Sequence, residues 1–584
     1  MHYSELDEVW RELTAPGAAF EMTHGGGCRT YRHAPADLRE MWLATAAFGD
    51  RDYLIYEDER ISYREAHRQV ANLAAWLAAQ GVGPGDRVAL AMRNYPEWLL
   101  SCWAVTCVGA VAVCFNAWWT GSELAYGLED AQPKVLIADG ERIERLSGYS
   151  EALASVRLVA TRHDGLCDRA IPWSQTAGHA GVLPDAAIDP TADALILYTS
   201  GTTGKPKGAR LTHAGCANNL MNLLFAGRSQ VLAMQRAKKL PIEAGPPPVP
   251  AALVTTPLFH VTALTCVAHP TTHLGGKLVL MRRWDPTAAL ELVERERVTS
   301  LSAVPTIARE LVAHPEFSRF DTSSLGSLGG GGAPLHPDLL TRIERVATSA
   351  RAQTGYGMTE VCGAITSIIG DFFLDKPTSC GRPLPTYDLE IRDEDGRPLP
   401  AGATGEVWAR GCTIIAGYLN TPEGATGAIV DGWLRTGDIG RLDPQGFLHL
   451  VDRKKDMVLR GGENVYCAEV EAALYAHPSV HEGCVFAIPD ARLGEAVAAA
   501  VRLRPGESAS ERDLQDHCAT LIARHKIPTR IWLLREPLPR NASGKILKSE
   551  IRLRLISIGG AATVARSGAA LSPDGGEQVG LAAT

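Results

Sequence analysis

Apolar positions change period repeatedly along the first half of the chain. From Tyr63 to Ala79 they recur every three to four residues, which predicts an amphipathic helix. The turn Gly83-Pro84-Gly85-Asp86 follows, and Arg87–Met92 is then a short apolar run that reads as a strand. Pro96–Val108 predicts a buried helix, Gly109-Ala110 a turn and Val111–Phe115 a strand. A helix near Ser122–Asp130 and a strand at Lys134–Ala138 come next. Leu195–Tyr198, Leu253–Thr256 and Lys277–Met281 read as further strands. Helices alternating with short apolar strands predict an α/β fold with largely parallel sheets.

Trp98–Ser122 carries no charged residue, which raises a membrane span. Gly109 and Asn116 interrupt the run, and Ser101, Thr106 and Thr120 dilute it. The helix–turn–strand reading therefore stands, and no transmembrane segment is expected.

The pattern shifts in three places further on. Arg228–Lys239 is basic and Pro241–Pro250 holds five prolines, so 225–251 reads as a surface loop or insertion, placed to cap whatever binds beside the motif that follows. From Gly381 to Leu450 short strands lie between Gly, Pro and Asp turns, as in a β-rich unit. The charge cluster Asp452–Asp456 then reads as a hinge. Ala468–Tyr475, Val485–Ile488, Val497–Leu503 and Glu511–Arg524 follow it as a compact α+β tail domain. The expected layout is a large N-terminal domain of α/β subdomains, 1–451, with its β-rich part at about 381–450, a small C-terminal domain, 452–556, and an Ala/Gly/Ser-rich tail, 557–584, without fixed structure.

Composition narrows the function classes. A net charge of −8 leaves no basic footprint and argues against nucleic acid as the partner. The 13 cysteines include no CxxC pair and no zinc-ligand spacing, so reduced thiols in a cytoplasmic protein are expected. The N-terminus is polar and acidic, with no signal-peptide pattern. Nothing in the sequence fixes an oligomeric state; a homodimer is one option.

The chemistry concentrates in a series of short motifs. Tyr198-Thr-Ser-Gly-Thr-Thr-Gly-Lys-Pro-Lys-Gly208 follows an apolar strand and offers close backbone N–H groups, hydroxyls and two lysines, the equipment of a polyphosphate loop. It is not a Walker A loop, because Pro206 stands where Ser or Thr is required. A Gly/Thr linker is the plain alternative. Pro257-Leu-Phe-His260 sets an aromatic and a histidine at a strand's end, as a pocket wall or simply as a core Phe and a surface His. Leu328–Leu335 reads as a bend where backbone approaches a flat ligand, or as a loop. In Gln353-Thr-Gly-Tyr-Gly-Met-Thr-Glu360, Tyr356 lies between two glycines that leave its face open to a base, Thr359 can donate to a phosphate oxygen, and Glu360 can hold Mg²⁺. Trp433–Gly440 supplies Asp438, a carboxylate suited to two ribose hydroxyls or a turn-forming residue.

This ordered set resembles the adenylate-forming superfamily, which includes acyl-CoA synthetases, peptide-synthetase adenylation domains and luciferases. The resemblance spans roughly residues 50–555. It implies an ATP site made of Thr199, Ser200, Gly201, Thr202, Thr203, Gly204, Lys205 and Lys207, with Gly332, Ala333, Pro334, Gly355, Tyr356 and Gly357 at adenine and Asp438 and Arg453 at ribose or phosphate. It places His260 near the acid, and it makes Asp452 the pivot of a mobile C-terminal domain. Gly461, Gly462, Glu463 and Asn464 would line a pantetheine tunnel. Lys545, in Pro539–Lys545, would be the adenylating lysine, acting with Thr359, Glu360 and His260. Arg460 and Cys467 depart from the residues frequent among relatives and flank that tunnel.

The reaction implied is an ATP-dependent acid–CoA ligation with Mg²⁺: carboxylate to acyl-AMP with loss of pyrophosphate, then acyl-CoA with loss of AMP. Val261, Ala263, Leu264, Ser302, Ala303 and Val304 surround the expected acid pocket with small or apolar groups, which favours a hydrophobic acid: first a fatty acid, placing the enzyme in fatty-acid metabolism, and next an aromatic one. The absence of carrier or condensation segments after Lys545 argues against a peptide-synthetase module. An acyl-AMP ligase that loads a carrier-protein phosphopantetheine, a luciferase-like oxidase and a non-catalytic nucleotide binder remain as alternatives.

Overall fold

The computed structural model describes residues 3–25, 27–163, 169–178, 181–199, 205–238, 249–333, 335, 337–422, 425, 427–461, 463–542 and 544–556. The chain divides into two compact units. The first comprises Met1–Leu389, Ala409–Arg435 and Gln445–Leu448, and the second Glu390–Trp408, Thr436–Pro444 and His449–Thr584. The fold is mixed α/β, as the alternating pattern requires.

The first unit holds a seven-stranded sheet in the order Lys207–Thr212, Asp193–Thr199, Val111–Cys114, Arg87–Ala91, Val135–Asp139, Arg157–Thr161, Ile171–Pro172. All its pairs are parallel except the edge strand Lys207–Thr212, which runs antiparallel to Asp193–Thr199. Val111–Cys114 and Val135–Asp139 are buried at every position, because helices cover both faces. A nine-stranded sheet lies in the same unit and runs from Arg382–Pro383 through Gly363–Ile369, Arg351–Met358, Ser327–Gly330, Ser300–Ser302, Ala251–Val254, Lys277–Leu280 and Asp52–Tyr56 to Glu59–Ser62.

Local signals set the element ends. The Ser62 hydroxyl accepts from Glu65 N–H and starts helix Tyr63–Ala79. Thr120 and Glu123 form a capping box that starts Gly121–Ala131. The charge-free stretch after Trp98 resolves into helix Pro96–Cys107, a turn at Gly109 and strand Val111–Cys114. That helix has 12 residues, far fewer than the ~20 that a bilayer needs. Among the described residues no helix is long and apolar enough to cross a membrane.

One expectation fails. Residues 225–237 are not a loop: helix His213–Ala237 runs through them. Phe225, Ser229, Leu232 and Ala233 are buried on its inner stripe. The basic residues lie on its outer side, where Arg236 pairs with Glu12 at 2.6 Å and Lys238 with Asp371 at 2.5 Å. Helical period outweighs basic composition here, and the prolines begin only after the helix ends. Residues 239–248, most of the expected Pro-rich cap, lie outside the described residues.

The second unit contains an antiparallel sheet in the order Glu463–Val465, Val458–Arg460, Gly494–Leu503, Val480–Asp490, with Arg530–Leu534 added parallel to Gly494–Leu503. Cys467–Tyr475 and Glu511–Ala519 contribute Val470, Leu474 and Leu514 to a core shared with Val485, Val497 and Val501. The division between the units does not fall at one point, since Glu390–Trp408 and Thr436–Pro444 go with the second unit. The expected tail, 557–584, lies outside the described residues.

At the C-terminal ends of the seven-stranded sheet's central strands sits a buried ion pair. Arg142 and Asp139 are 0% and 2% exposed and meet at 2.7 Å. Asp139 also accepts from the N–H groups of Arg93 and Arg142 at 3.1 and 3.2 Å. Arg142 Nε donates to the Ala117 carbonyl at 2.7 Å, which fixes the turn carrying Trp119, and Trp119 meets Tyr198 edge-on at 5.2 Å. Removing Asp139 leaves the buried Arg142 with only the partly exposed Glu141, at 2.8 Å, as an acidic partner. Asp139→Ala should therefore lower stability by about 3–5 kcal/mol in urea unfolding followed by tryptophan fluorescence; a loss below about 1 kcal/mol would contradict this.

Candidate active site

The phosphate-loop motif is a β-hairpin. Thr199 pairs with Lys207 and Tyr198 with Gly208 across antiparallel strands. Ser200, Gly201, Thr202, Thr203 and Gly204 lie outside the described residues; Thr199, Lys205 and Lys207 flank them. Each lysine stands over a tyrosine. Lys205 Nζ is 5.0 Å from the Tyr126 ring centroid and Lys207 Nζ is 5.8 Å from that of Tyr418. The Tyr418 hydroxyl donates to Glu360 Oε1 at 2.9 Å. The hairpin and Glu360 are thus joined through one side chain. Thr359, beside Glu360, is buried.

The glycines flanking Tyr356 have a reason other than an open ring face. Arg351–Met358 is a strand, and a Cβ on Gly355 would lie 2.7 Å from the Thr366 carbonyl oxygen, and one on Gly357 1.9 Å from that of Gly363. The neighbouring strand Gly363–Ile369 requires both glycines. Tyr356 itself is buried, and its N–H donates to Thr366 Oγ1 at 3.2 Å. Gly332 and Ala333 form an exposed bend; Pro334 lies outside the described residues.

His260 is half-buried at the start of a short helix, next to Phe259. Asn94 fixes this segment, accepting from Leu258 N–H at 2.9 Å and donating to the Thr256 carbonyl at 3.0 Å. A π-helical turn follows at Leu264–Ala268. Thr265 Oγ1 in it donates to the Cys362 carbonyl at 2.7 Å, which ties it to the segment bearing Glu360. Val261, Ala263, Leu264, Ala303 and Val304 are buried and Ser302 is half-buried.

In the second unit Asp438 is 5% exposed and pairs with Arg453 Nε at 3.1 Å. Asp452, the expected pivot, accepts from Arg453 N–H at 2.7 Å and from Cys467 N–H, the first residue of helix Cys467–Tyr475. That helix presents unpaired N–H groups and a positive dipole end, which a carboxylate satisfies. Cys467 Sγ donates to the Asp456 carbonyl at 2.9 Å, and Arg460 Nη1 to the His525 carbonyl, so both departures from the family pattern have partners inside this unit. Glu463 and Asn464 are exposed on strand Glu463–Val465, next to Gly461; Gly462 lies outside the described residues. Lys545 sits on a tight turn. Asn541 N–H donates to the Lys545 carbonyl at 2.8 Å, Lys545 N–H to Asn541 Oδ1 at 2.9 Å, and Arg540 Nη1 to the Gly544 carbonyl at 2.9 Å.

Tyr126, Tyr418 and Asn94 carry no spacing signal that marks them in the sequence. Their roles arise only from tertiary contacts.

Known proteins match this arrangement. The AMP-binding enzyme family matches residues 42–419, and the AMP-binding enzyme C-terminal domain matches 469–545. A feruloyl-CoA synthase from an Amycolatopsis species is 36% identical over 495 residues, covering 85% of this chain and 94% of that protein. A long-chain-fatty-acid–CoA ligase of Bacillus subtilis strain 168 is 31% identical over 538 residues, covering 87% and 92%. The solved structure of o-succinylbenzoate CoA synthetase from Bacillus subtilis, in complex with its acyl-adenylate intermediate, matches with a TM-score of 0.71 and 29% identity, over 88% of this chain and 97% of that one. The chain belongs to the AMP-binding enzyme family and, within it, to the ATP-dependent, AMP-forming acid–CoA ligases.

Asp452 gives a pH prediction. Burial pushes its carboxyl up to about 6, against the opposing pull of the Lys548 ammonium and the two N–H donors. A carboxyl whose folded pKa exceeds its unfolded value keeps its proton longer in the folded chain. That contribution is present at pH 4 and is lost as pH rises through 6. In thermal unfolding, Asp452→Asn should flatten the decline in midpoint between about pH 4 and 6. An unchanged slope would show that Asp452 does not titrate there.

Proposed function

We propose that this enzyme joins a hydrophobic carboxylic acid, a fatty acid in the first place, to coenzyme A through an acyl-adenylate. The observation that carries the reading is the Lys207–Tyr418–Glu360 cluster. It sets an ammonium and a carboxylate beside a Gly/Thr hairpin, the charges that a metal-bound triphosphate needs. In this reading Thr199, Lys205, Lys207 and residues 200–204 take the triphosphate oxygens. Gly332–Pro334 and Gly355–Gly357 hold adenine, Asp438 the ribose hydroxyls, and Arg453 the ribose or α-phosphate.

Mg²⁺ fits the donor set. Among the described residues no group of three His, Cys, Asp or Glu side chains could hold an ion. Glu360 is a single hard carboxylate with the Thr359 hydroxyl beside it, and a nucleotide-borne Mg²⁺ takes most of its remaining oxygens from phosphate and water. Bound there, the ion would neutralise charge on the polyphosphate.

The first half-reaction forms a bond between a carboxylate oxygen and the α-phosphorus and breaks the α–β bridging bond, releasing pyrophosphate. Positioning and charge neutralisation are what the protein supplies. Lys545 stabilises the charge that develops on the carboxylate and α-phosphate oxygens. In the second half-reaction the CoA thiolate attacks the acyl carbon and AMP leaves. Gly461, Gly462, Glu463 and Asn464 line the pantetheine path, and His260 borders the acid.

The apolar residues Val261, Ala263 and Leu264 and the small side chains Ser302 and Ala303 support a hydrophobic acid. An aromatic acid is the second reading, favoured by the 36% identity to a feruloyl-CoA synthase.

Two measurements test this. Pyrophosphate release should depend on CoA and on one acid class when straight-chain, branched, aromatic and polycyclic acids are screened with ATP and Mg²⁺. Straight-chain turnover supports the first reading and aromatic turnover the second, while adenylate formed without CoA acceleration redirects the acceptor to a carrier protein. Lys545→Ala should slow adenylate formation by about 10²- to 10³-fold, yet leave transfer from preformed acyl-AMP to CoA within a few-fold of wild type. Equal loss of both halves in a folded variant removes the role assigned to Lys545.

A further inference from the structure

Tyr126 and Tyr418 both lie under hairpin lysines, but their hydroxyls go to different places. Tyr126 donates to the Pro206 carbonyl at 3.2 Å, within the hairpin itself. Tyr418 donates to the Glu360 carboxylate at 2.9 Å. Tyr418 therefore touches a cation with its ring and an anion with its oxygen.

Its backbone leaves it little freedom. Ile415 N–H donates to the Glu360 carbonyl at 3.1 Å, Ala416 N–H to the Arg210 carbonyl at 2.9 Å, Arg210 N–H to the Gly417 carbonyl at 3.0 Å, and Leu419 N–H to the Gly208 carbonyl at 2.7 Å. Leu419 is buried, and Asn420 Nδ2 donates to the Asp130 carbonyl at 2.7 Å. The segment 415–420 is thus fixed at once to the strand that carries Lys207, to the residue that carries the carboxylate, and to helix Gly121–Ala131.

The ring also keeps two opposite charges apart. Among the described residues no ion pair joins Lys207 to Glu360; the ammonium meets the ring and the carboxylate meets the hydroxyl. A direct pair would have to be broken by any ligand that needs both charges. A hydroxyl donating to a carboxylate is a charge-assisted bond, strong enough to select one carboxylate orientation while leaving its other oxygen open to further ligands.

We propose that Tyr418 is a positioning residue for the metal-bound triphosphate. Its ring seats the Lys207 ammonium for phosphate oxygens, and its hydroxyl presets the Glu360 carboxylate for Mg²⁺. This rests on the roles given to Lys207 and Glu360 in the proposed function.

The test uses titration calorimetry without any acid, so that no turnover occurs, on wild type, Tyr418→Phe and Tyr418→Leu. Tyr418→Phe keeps the ring and loses the hydroxyl. It should weaken Mg·ATP binding by about three- to tenfold, the worth of one hydrogen bond, and leave ATP binding in EDTA unchanged. Tyr418→Leu loses the ring as well and should weaken both. The Mg²⁺ half-saturation of pyrophosphate exchange should rise with Tyr418→Phe in the same proportion. Thermal midpoints matching wild type keep the comparison clean for Tyr418→Phe, whose change is one atom. Wild-type behaviour of Tyr418→Phe with both ATP forms overturns the proposal, and so does equal weakening of both. If wild type binds Mg·ATP and the variants behave as expected, but no acid supports exchange, the reading of the reaction fails while the positioning role stands.

Discussion

The edge strand Lys207–Thr212 is hydrogen-bonded on both sides, and the Lys207–Tyr418–Glu360 cluster depends on that. One side pairs with Asp193–Thr199 and closes the phosphate hairpin. The other side takes the backbone of 415–419, which brings Tyr418 and, through Ile415, Glu360. Strand side chains alternate between faces, so a one-residue slip would turn Lys207 away from Tyr418. Gly208 prevents the slip. A Cβ there would lie 2.8 Å from Ile196 Cγ2 and 3.3 Å from Leu419 Cβ, so this position tolerates only the residue without a side chain. The glycine that ends the motif locks register, and what it locks is the place of a charge.

Such a strand must be anchored on a sheet that does not yield. The apolar residues of the sheet's central strands provide bulk, but the turn between Val111–Cys114 and Gly121–Ala131 is held by charge. The Asp139–Arg142 pair reaches the Ala117 carbonyl, and Trp119 and Phe115 from the same segment meet Tyr198 edge-on. Tyr198 in turn donates to Asp130 at 2.7 Å, and Asp130 also receives Asn420. A buried ion pair is seldom a net source of stability. Here it sets the geometry of the aromatic shell behind the phosphate hairpin.

Much of this was legible in the sequence, for identifiable reasons. Between residues 63 and 139 the expected helices and strands fall within a residue or two of those observed, because apolar period and capping residues act locally. The stretch 225–237 is a helix and not the expected loop, because the prolines that predict a loop begin only at Pro241, while Phe225, Ser229, Leu232 and Ala233 keep a helical stripe. Glycines 355 and 357 were visible as necessary, but the adjacent strand that makes them so was not. Tyr418 was invisible as a site residue, since it lies 58 positions from Glu360 and only the sheet brings them together. The assignment of Glu390–Trp408 to the second unit was equally hidden, because no pattern along the chain reports a non-contiguous division.

The lysines assigned to the proposed reaction stand in two different settings. Lys205 and Lys207 rest on aromatic faces, which fix an ammonium without neutralising it. In the proposed reaction they serve a triphosphate that must be bound before chemistry begins. Lys545 is carried on the Asn541 turn, which Arg540 also braces, and Arg540 is itself anchored to Glu482 at 3.6 Å. Such a turn can carry its lysine as a unit without breaking a sheet hydrogen bond. Asp452 adds a matching economy. Its side chain accepts from the first N–H of helix Cys467–Tyr475, which ties this residue to a helix of its own unit. A charge needed for one half-reaction and unwanted in the other is best carried on such a turn, and charges needed to hold the nucleotide are best set on rings.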